Sequence, residues 1–370
     1  MIYIHIPFCE RKCNYCAFNS KIGGAAEKSF YVDALIKEIN LRGDFSEVET
    51  IYFGGGTPTT LNLAQLEKII CAVDKNFRVD KRSEITIEAN PGTVDENYLR
   101  GLRALGFNRL SLGIQSFDDG LLKILGRIHD SQAAIETVEL AKKFFSNVSV
   151  DLMYGLPCQT LDNLRRDLER VKNLDVAHVS IYGLEVEEGT KFFELAREGK
   201  LNLPAENICA DMYDLITETL PTFGYRRYEI SNFAQKNFES RHNVGYWTGK
   251  KYFGFGAGAH SFDGELRTSN VRDVATYTKK ICAGENVSEV EEVVTRRAAM
   301  EEFCFLGLRM IDGISAQRFE KIFGAKIFDV FGAVIDKNRR DGLLIVDGDK
   351  IFLTARGLAL GNEVFADFLL

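Results

Sequence analysis

The chain has 370 residues, 45% of them hydrophobic, and a formal net charge of −7 at pH 7. This length and apolar content predict one large domain with a smaller appended unit. The negative charge disfavours a non-specific nucleic-acid binder, which needs a basic face. The sequence has no apolar run long enough to span a membrane and no signal-peptide pattern. We therefore expect a cytoplasmic protein that binds no nucleic acid and is not an integral membrane protein.

Three cysteines near the amino terminus form the most informative pattern in the chain. Cys9, Cys13 and Cys16 have the spacing C-x3-C-x2-C and follow the alternating apolar run at positions 2–6. That run predicts a strand, which Pro7 ends. Thiolates this close can share one metal centre. Because [4Fe–4S] clusters ordinarily use four cysteines, three ligands leave one iron open to bind a small molecule.

Two other uses of these thiols remain open at this point. A structural zinc site needs four ligands, and His5 would complete the set. A disulfide with a spare thiol is disfavoured in a chain without secretion signals. The remaining cysteines resemble reduced thiols of a cytosolic protein, since they are scattered among apolar neighbours: Cys71, Cys158, Cys209, Cys282 and Cys304.

Strand and helix patterns alternate six times over about the first 180 residues. Strands are predicted over 2–6, 50–53, 84–88, 109–113, 148–152 and 177–182, and helices over 27–42, 61–76, 95–105, 117–145 (broken near Gly126) and 161–174. Short apolar strands of this kind are typical of a parallel sheet covered on both faces. A closed eightfold barrel takes ~250 residues. Six units therefore predict an α/β fold with a partial, open (β/α)6 TIM-like barrel.

Polar and glycine residues collect where the predicted strands end. They are Cys9–Cys16, Gly54–Thr57, Glu88, Gln115 and Asp151. In parallel α/β folds the carboxyl ends of the strands carry the active site. The glycine run lets a ligand approach the main chain closely. The sequence therefore predicts a ligand site at this edge.

Several motifs together resemble one subgroup of the radical SAM enzymes, which holds oxygen-independent coproporphyrinogen III oxidase and its haem-chaperone relatives. They are IYIHIPFCERKCNYCAFNS, YFGGGTPT, IEANPGT, LSLGIQSFDD, LGRIH, DLMYGLP, RHNVGYW and GFGAGAHSF. The resemblance implies a radical SAM barrel with a [4Fe–4S] cluster on Cys9, Cys13 and Cys16, whose open iron chelates S-adenosylmethionine. Positions that match S-adenosylmethionine contacts of the subgroup are Tyr3, Tyr15, Gly55, Gly56, Thr57, Glu88, Gln115, Arg127 and Asp151.

Two features favour the haem-chaperone branch, which binds haem and delivers it to acceptor proteins. Phe18 stands where the oxidase carries a further cysteine. The HNxxYW motif that marks the branch is present, and its matching residues are the candidate haem contacts: His242, Asn243, Tyr246 and Trp247. His260 is a weaker alternative ligand. The competing reading is an enzyme, an oxygen-independent coproporphyrinogen III dehydrogenase. Cys158 stands where the subgroup usually has glycine and is expected to be inert.

The predicted organisation has three parts. Residues 1–200 form the barrel, and residues 201–288 form a connecting segment that carries the HNxxYW motif over the barrel mouth. Residues 289–370 form a C-terminal helical, winged-helix-like cap with a hairpin turn at 347–349. Lysine and arginine do not dominate the cap, so we expect packing or partner contact there rather than DNA binding.

Overall fold

The computed structural model describes residues 1–369. Its strands are β1 (Ile2–Ile6), β2 (Phe8–Cys9), β3 (Lys21–Ile22), β4 (Glu47–Gly55), β5 (Arg78–Ala89), β6 (Arg109–Gln115), β7 (Asn147–Tyr154), β8 (His178–Gly183), β9 (Arg226–Arg227), β10 (Asn232–Ala234), β11 (Phe253–Phe255), β12 (His260–Phe262), β13 (Leu266–Asn270), β14 (Ser288–Val293), β15 (Ile314–Ser315), β16 (Leu344–Asp347) and β17 (Lys350–Leu353). Its helices are α1 (Ala25–Arg42), α2 (Leu63–Asn76), α3 (Glu96–Ala104), α4 (Asp119–Leu125), α5 (Ser131–Lys142), α6 (Leu161–Leu174), α7 (Lys191–Arg197), α8 (Glu206–Thr222), α9 (Arg241–Trp247), α10 (Val274–Ala283), α11 (Arg296–Gly307), α12 (Ala316–Phe323), α13 (Ile327–Arg340), α14 (Ala355–Ala359) and α15 (Gly361–Asp367).

The main sheet is the predicted partial barrel with additions at both edges. Its strand order is β11-β1-β4-β5-β6-β7-β8-β10-β9. The six strands from β1 to β8 in this order pair in parallel, which confirms the six-fold alternation. At one edge β11 adds in parallel to β1, and at the other β10 and β9 add antiparallel to β8. The carboxyl ends of the six parallel strands therefore meet at one rim.

Alternation along each strand gives the sheet two different faces. Along β4, Ile51 and Phe53 belong to the main hydrophobic core with the surrounding helices. Thr50 is buried on the other face, and Tyr52 on that face lines a cavity inside the barrel. Because successive side chains point to opposite faces of a strand, one face can pack apolar helices while the other lines a polar interior.

Local sequence signals explain where several helices begin and end. Asn62 and Gln65 form a capping box at the start of α2, and Thr160 and Asn163 form another at the start of α6. Gly126 ends α4 in the left-handed region, at φ 76°. A glycine tolerates that conformation because it has no Cβ. The predicted helix over 117–145 is therefore two helices, with the break at the expected residue.

The C-terminal unit has a hydrophobic core of its own, which contains Phe319, Phe331 and Ile351. Helices α11 to α15 pack with the small antiparallel sheet β15-β17-β16. β16 and β17 pair as a hairpin whose turn contains Gly348, as the sequence predicted. This arrangement of helices with a short hairpin agrees with the predicted winged-helix-like cap.

Both predicted domain boundaries differ from the structure. The first, at residue 200, separates α8 from the barrel, but Met212 and Ile216 of α8 belong to the main core. The second, at residue 289, cuts into β14, which pairs with β13. Beyond residue 200 the strands are short: in the stretch 225–230 only Arg226–Arg227 forms a strand, and Glu229 makes an isolated bridge. Leu370, the last residue of the predicted cap, lies outside the described residues.

The position predicted for the HNxxYW segment over the barrel mouth is wrong. The segment forms α9, whose first N–H groups, those of Arg241 and His242, both donate to the Glu84 carboxylate at 3.1 Å. Glu84 pairs in register with Thr50, which lies five residues before the end of β4. α9 therefore closes the barrel interior from the amino-terminal side of the strands.

No helix within residues 1–369 combines the length and apolar character needed to cross a bilayer.

A buried carboxylate joins the edge of the barrel to the elements around it. Glu38 of α1 is 1% exposed. It accepts hydrogen bonds from Arg42 (2.6 Å), the Gly256 N–H (2.9 Å), Asn270 (2.7 Å) and the Tyr277 hydroxyl (2.6 Å). These partners lie on α1, on the loop that follows β11, on β13 and on α10. One side chain thus holds four segments together beside β1.

We expect Glu38→Ala to lower the free energy of unfolding by ~3–5 kcal/mol, because it leaves Arg42 without its buried partner. Urea denaturation, monitored by circular dichroism, measures this change in the free energy of unfolding. Glu67→Ala on α2 is the matched control, since Glu67 is exposed and surface changes stay within about 0.5 kcal/mol. A loss below about 1 kcal/mol in Glu38→Ala would show that the network is not a structural anchor.

Candidate functional site

The three predicted cysteine ligands lie on one loop at the rim of the barrel. Cys9, Cys13 and Cys16 all line the same cavity, and all three are free thiols. The Asn14 N–H donates to Leu125 O at 3.0 Å, and the Asn14 side chain donates to Ile124 O at 2.8 Å. These bonds brace the cysteine loop against the end of α4.

The glycine run after β4 brings the main chain against this loop. A Cβ on Gly56 would lie 2.7 Å from Phe8 O and 3.0 Å from Cys9 Sγ. Gly55 has φ 114°, and a Cβ there would lie 2.6 Å from the His5 ring. Only glycine fits such close approach. The Thr57 hydroxyl then reaches Cys9 Sγ at 3.6 Å.

Arg127 connects the cysteine loop to two neighbouring strand ends. Its Nη1 donates to Cys13 Sγ at 3.5 Å. Its Nη2 donates to the Asn90 side chain and to Gly113 O. Asn90 in turn donates to the Thr57 hydroxyl at 2.7 Å. A guanidinium in this place can receive a carboxylate in the bidentate geometry that arginine favours.

Two carboxylates line the cavity further inside. Burial raises the pKa of Glu88 to about 7, although hydrogen bonds from the Tyr52 hydroxyl (2.7 Å) and the Gly55 N–H (3.2 Å) lower it. Burial likewise raises the pKa of Asp151, which accepts hydrogen bonds from the Ser111 hydroxyl at 3.1 and 3.2 Å. A ligand that brings a positive charge or hydroxyl donors would stabilise the ionised form of both carboxylates.

The cavity has a volume of about 490 Å³, within the ~300–1,000 Å³ typical of small-molecule sites. It brings together the three cysteines and eight of the nine residues predicted to bind S-adenosylmethionine: Tyr15, Gly55, Gly56, Thr57, Glu88, Gln115, Arg127 and Asp151. Tyr3, the ninth, lies beside it, stacked on Tyr52 with a centroid distance of 6.2 Å. Gln115 adopts φ 71°, which turns the chain at the end of β6.

The sequence analysis missed several cavity residues, among them Asn90, Tyr52 and Arg109. Asn90 directly follows β5, and the strand-end rule used for Glu88 could have found it. Tyr52 and Arg109 lie within strands, where only the inward or outward phase of the alternation identifies them. Arg109 is 1% exposed, its Nε has no hydrogen-bond partner, and it faces Glu84 and Asp151.

The predicted haem contacts lie on α9, away from the rim. His242 is 1% exposed, and its two ring nitrogens contact Thr50 Oγ1 at 2.8 Å and the Tyr246 hydroxyl at 3.0 Å. Burial lowers the pKa of His242 to about 3. Asn243 lines the inner end of the cavity. In this arrangement neither nitrogen of His242 is free to bind a haem iron.

The remaining motif residue connects the barrel to the C-terminal unit. The Trp247 ring lies 4.3 Å from the Arg309 guanidinium, and Thr248 O accepts a hydrogen bond from Arg318 at 3.2 Å. His260, the weaker alternative ligand, is in the small outer sheet and pairs with Glu291 at 3.0 Å. These contacts give Trp247 and His260 structural partners.

Comparison with known proteins assigns the chain to a family. Residues 3–196 match the model of the radical SAM superfamily, and residues 294–360 match the HemN C-terminal domain. The chain belongs to the radical SAM superfamily. Membership implies an iron–sulfur cluster of the [4Fe–4S] type and S-adenosylmethionine.

Curated relatives and a solved structure match nearly the whole chain. The protein named heme chaperone HemW of Bacillus subtilis is 40% identical over 99% of this chain and 98% of its own. Radical S-adenosyl methionine domain-containing protein 1, mitochondrial, of Danio rerio is 33% identical, over 100% of this chain and 86% of its own length. The structure of coproporphyrinogen III oxidase (HemN) from Escherichia coli matches with a TM-score of 0.86 and 27% identity. The match covers 99% of this chain and 89% of the oxidase chain. The chain therefore also belongs to the family of the HemW proteins.

The residues present fit the two groups that the superfamily implies. Three free thiols at one rim supply sulfur donors for iron, and Gly55 and Gly56 leave the adjacent main chain accessible. Within residues 1–369 no three His, Cys, Asp or Glu side chains converge closely enough to hold a single ion. His5, the fourth ligand of the zinc alternative, contacts Tyr3 Oη (3.0 Å) and Asn19 O (2.8 Å) through its ring nitrogens. This donor set suits a cluster better than zinc.

We expect Cys13→Ala to remove most of the iron and sulfide from anaerobically reconstituted protein, because it takes away one of three thiolate ligands. Iron and sulfide analysis per chain measures this. Cys158→Ala is the control, since Cys158 is exposed and its N–H donates to Asn202 O at 2.9 Å, away from the cavity lining. Four irons retained in Cys13→Ala would refute the ligand assignment.

We expect S-adenosylmethionine to bind more tightly as the pH rises through about 7, where the buried Glu88 ionises and becomes an acceptor. Tyr52→Phe removes the hydroxyl that stabilises the ionised form. The pKa of Glu88 then rises, and the binding midpoint moves upward by about one pH unit. Calorimetry at a series of pH values from about 6 to about 9 measures the binding affinity of the wild type and of Tyr52→Phe.

Tyr225→Phe is the matched control for Tyr52→Phe. The Tyr225 hydroxyl is also buried and donates to Val176 O at 2.8 Å, but Tyr225 does not line the cavity. Its loss should leave the pH profile of binding unchanged. Superimposable profiles for Tyr52→Phe and the wild type would remove Tyr52 from the site.

Proposed function

We propose that the protein is a haem chaperone, which binds haem and delivers it to acceptor proteins. The observation that carries this proposal is the 40% identity to a protein named heme chaperone HemW, spread over 99% of the chain. All eight cysteines are free thiols, a state typical of a reducing compartment such as the cytoplasm. We accordingly propose that delivery takes place there.

We assign the cofactor groups to the cavity residues by their chemistry. Cys9, Cys13 and Cys16 would hold the cluster through their thiolates. Arg127 would receive the methionine carboxylate, and Glu88 and Asp151 would accept hydrogen bonds from hydroxyl or ammonium groups. When bound, the cluster and S-adenosylmethionine supply one-electron chemistry. The protein's own part is to hold these groups at the rim and to keep the buried carboxylates hydrogen-bonded.

An oxygen-independent coproporphyrinogen III dehydrogenase is the second candidate. The TM-score of 0.86 to coproporphyrinogen III oxidase favours it, because the whole scaffold is shared. Two observations outweigh that likeness. Identity to this oxidase is 27%, against 40% to the HemW relative. Phe18 also occupies the position where the oxidase motif has a further cysteine, and it lies at the cavity rim with 71% exposure.

One anaerobic preparation separates the two candidates. The reconstituted protein is titrated with haem and, in parallel, incubated with coproporphyrinogen III, S-adenosylmethionine and a reductant. We expect a saturable Soret band and no decarboxylated product. Turnover to protoporphyrinogen without saturable haem binding would overturn the chaperone proposal in favour of the dehydrogenase.

The contribution of the HNxxYW motif is tested separately with His242→Ala. Because the His242 ring bonds to Thr50 and Tyr246 inside the barrel, we expect a lower melting temperature and an unchanged haem affinity in the folded protein. Thermal unfolding and the Soret titration measure the two effects. A lost or shifted Soret band in folded His242→Ala would instead support the sequence prediction that this histidine binds haem.

A further inference from the structure

Two exposed apolar side chains flank the mouth of the cavity. Phe18 is 71% exposed and Ile128 is 51% exposed, and both line the cavity. Single exposed apolar residues are common on protein surfaces. Two large ones at the entrance of a functional cavity form a surface that an apolar ligand would cover.

Hydrogen bonds connect the two chain segments that carry these side chains. Lys12 Nζ donates to Phe18 O at 2.7 Å, which fixes the end of the cysteine loop. Arg127, adjacent to Ile128, donates to Cys13 Sγ at 3.5 Å. The same loop is braced on α4 through Asn14. Phe18 and Ile128 therefore stand on two segments that are bonded to each other.

Basic side chains lie on the same side of the mouth. Arg11 and Lys12 are exposed on the cysteine loop and line the cavity. Glu10 is on this loop as well, and Glu185 and Glu187 line the cavity from the segment that follows β8. The ammonium of Lys12 already donates to Phe18 O, Ser20 O and Ser20 Oγ. A ligand with carboxylates would therefore direct them toward Arg11.

The interior of the cavity carries polar and apolar groups together. Glu88, Ser111 and Asp151 lie there beside Tyr52 and Met153. The cysteines and the residues proposed for S-adenosylmethionine account for much of this lining, so that ligand would occupy the interior. Phe18 and Ile128 at the mouth remain as apolar surface for a second, flat ligand.

We propose that haem lies across the mouth of the cavity, with its macrocycle on Phe18 and Ile128 and its propionates toward Arg11. This inference rests on the proposed function, since it takes haem as the ligand. It differs from the sequence prediction, which put haem against the HNxxYW residues. Haem in this place would cover the entrance to the S-adenosylmethionine site.

Soret titrations of two polar variants of the reconstituted protein test the location. Phe18→Ser and Ile128→Ser should each raise the Kd for haem by about tenfold, because each removes apolar contact area with the macrocycle. Phe30→Ser is the matched control: Phe30 is 67% exposed on α1 and outside the cavity lining. Its Kd should equal that of the wild type.

Iron content is measured in every variant, because Phe18 lies two residues from Cys16. If Phe18→Ser loses the cluster, Ile128→Ser decides the question. The propionate contact is tested with haem dimethyl ester, which lacks both carboxylates. The ester should bind the wild type more weakly than haem does, and Arg11→Gln should reduce this difference.

The outcomes separate the location from the function. If the wild type binds haem and neither Phe18→Ser nor Ile128→Ser changes the Kd relative to Phe30→Ser, the location is wrong and the chaperone proposal stands. If the wild type binds no haem, both are wrong. A tenfold loss in the two rim variants alone supports the location.

Discussion

The burial of charged groups inside the barrel is the constraint on which the rest of the structure depends. Glu84, Glu88, Asp151 and Arg109 all face the interior, where an unpaired charge is costly. Each carboxylate has its own donors: the first N–H groups of α9 for Glu84, Tyr52 and Gly55 for Glu88, and serine hydroxyls for Asp151. The apolar layer on the outer face can pack only if this interior is satisfied, so fold and site share one set of bonds.

This constraint explains why the site has two zones of different character. At the rim, the cysteine loop is braced by Asn14 on α4 and meets Arg127, so thiols and a guanidinium stand close together. Inside, the buried carboxylates can accept hydrogen bonds from hydroxyl or cationic groups of a ligand. Burial raises the pKa of Glu88 there. S-adenosylmethionine carries a carboxylate and an ammonium at its methionine end, followed by the sulfonium, the ribose hydroxyls and the adenine. The carboxylate suits the guanidinium at the rim, and the cationic and hydroxyl groups suit the carboxylates inside.

Much of this could be predicted from the sequence, and the failures share a cause. The strands followed from periodicity. The meeting of the three cysteines with eight predicted residues in one cavity followed from strand-end position and from the family resemblance, because the carboxyl ends of parallel strands meet at one rim. The depth of a residue within a strand leaves a weaker signal, so Tyr52 and Arg109 were missed. The domain boundaries failed because α8 and β14 join their neighbours through packing, which periodicity does not record.

The placement of α9 is the instructive case, because motif recognition and topology pointed in different directions. A motif containing His242, Tyr246 and Trp247 suggests a haem contact, but the sequence does not say at which end of the barrel the motif lies. Glu84 decides this, since its carboxylate caps α9 from inside the barrel. His242 then contacts Tyr52, with ring centroids 5.1 Å apart, and Tyr52 in turn holds Glu88. The motif thus packs against the cavity from the amino-terminal side of the strands. Phe18 and Ile128 form the apolar surface at the opposite end, at its mouth.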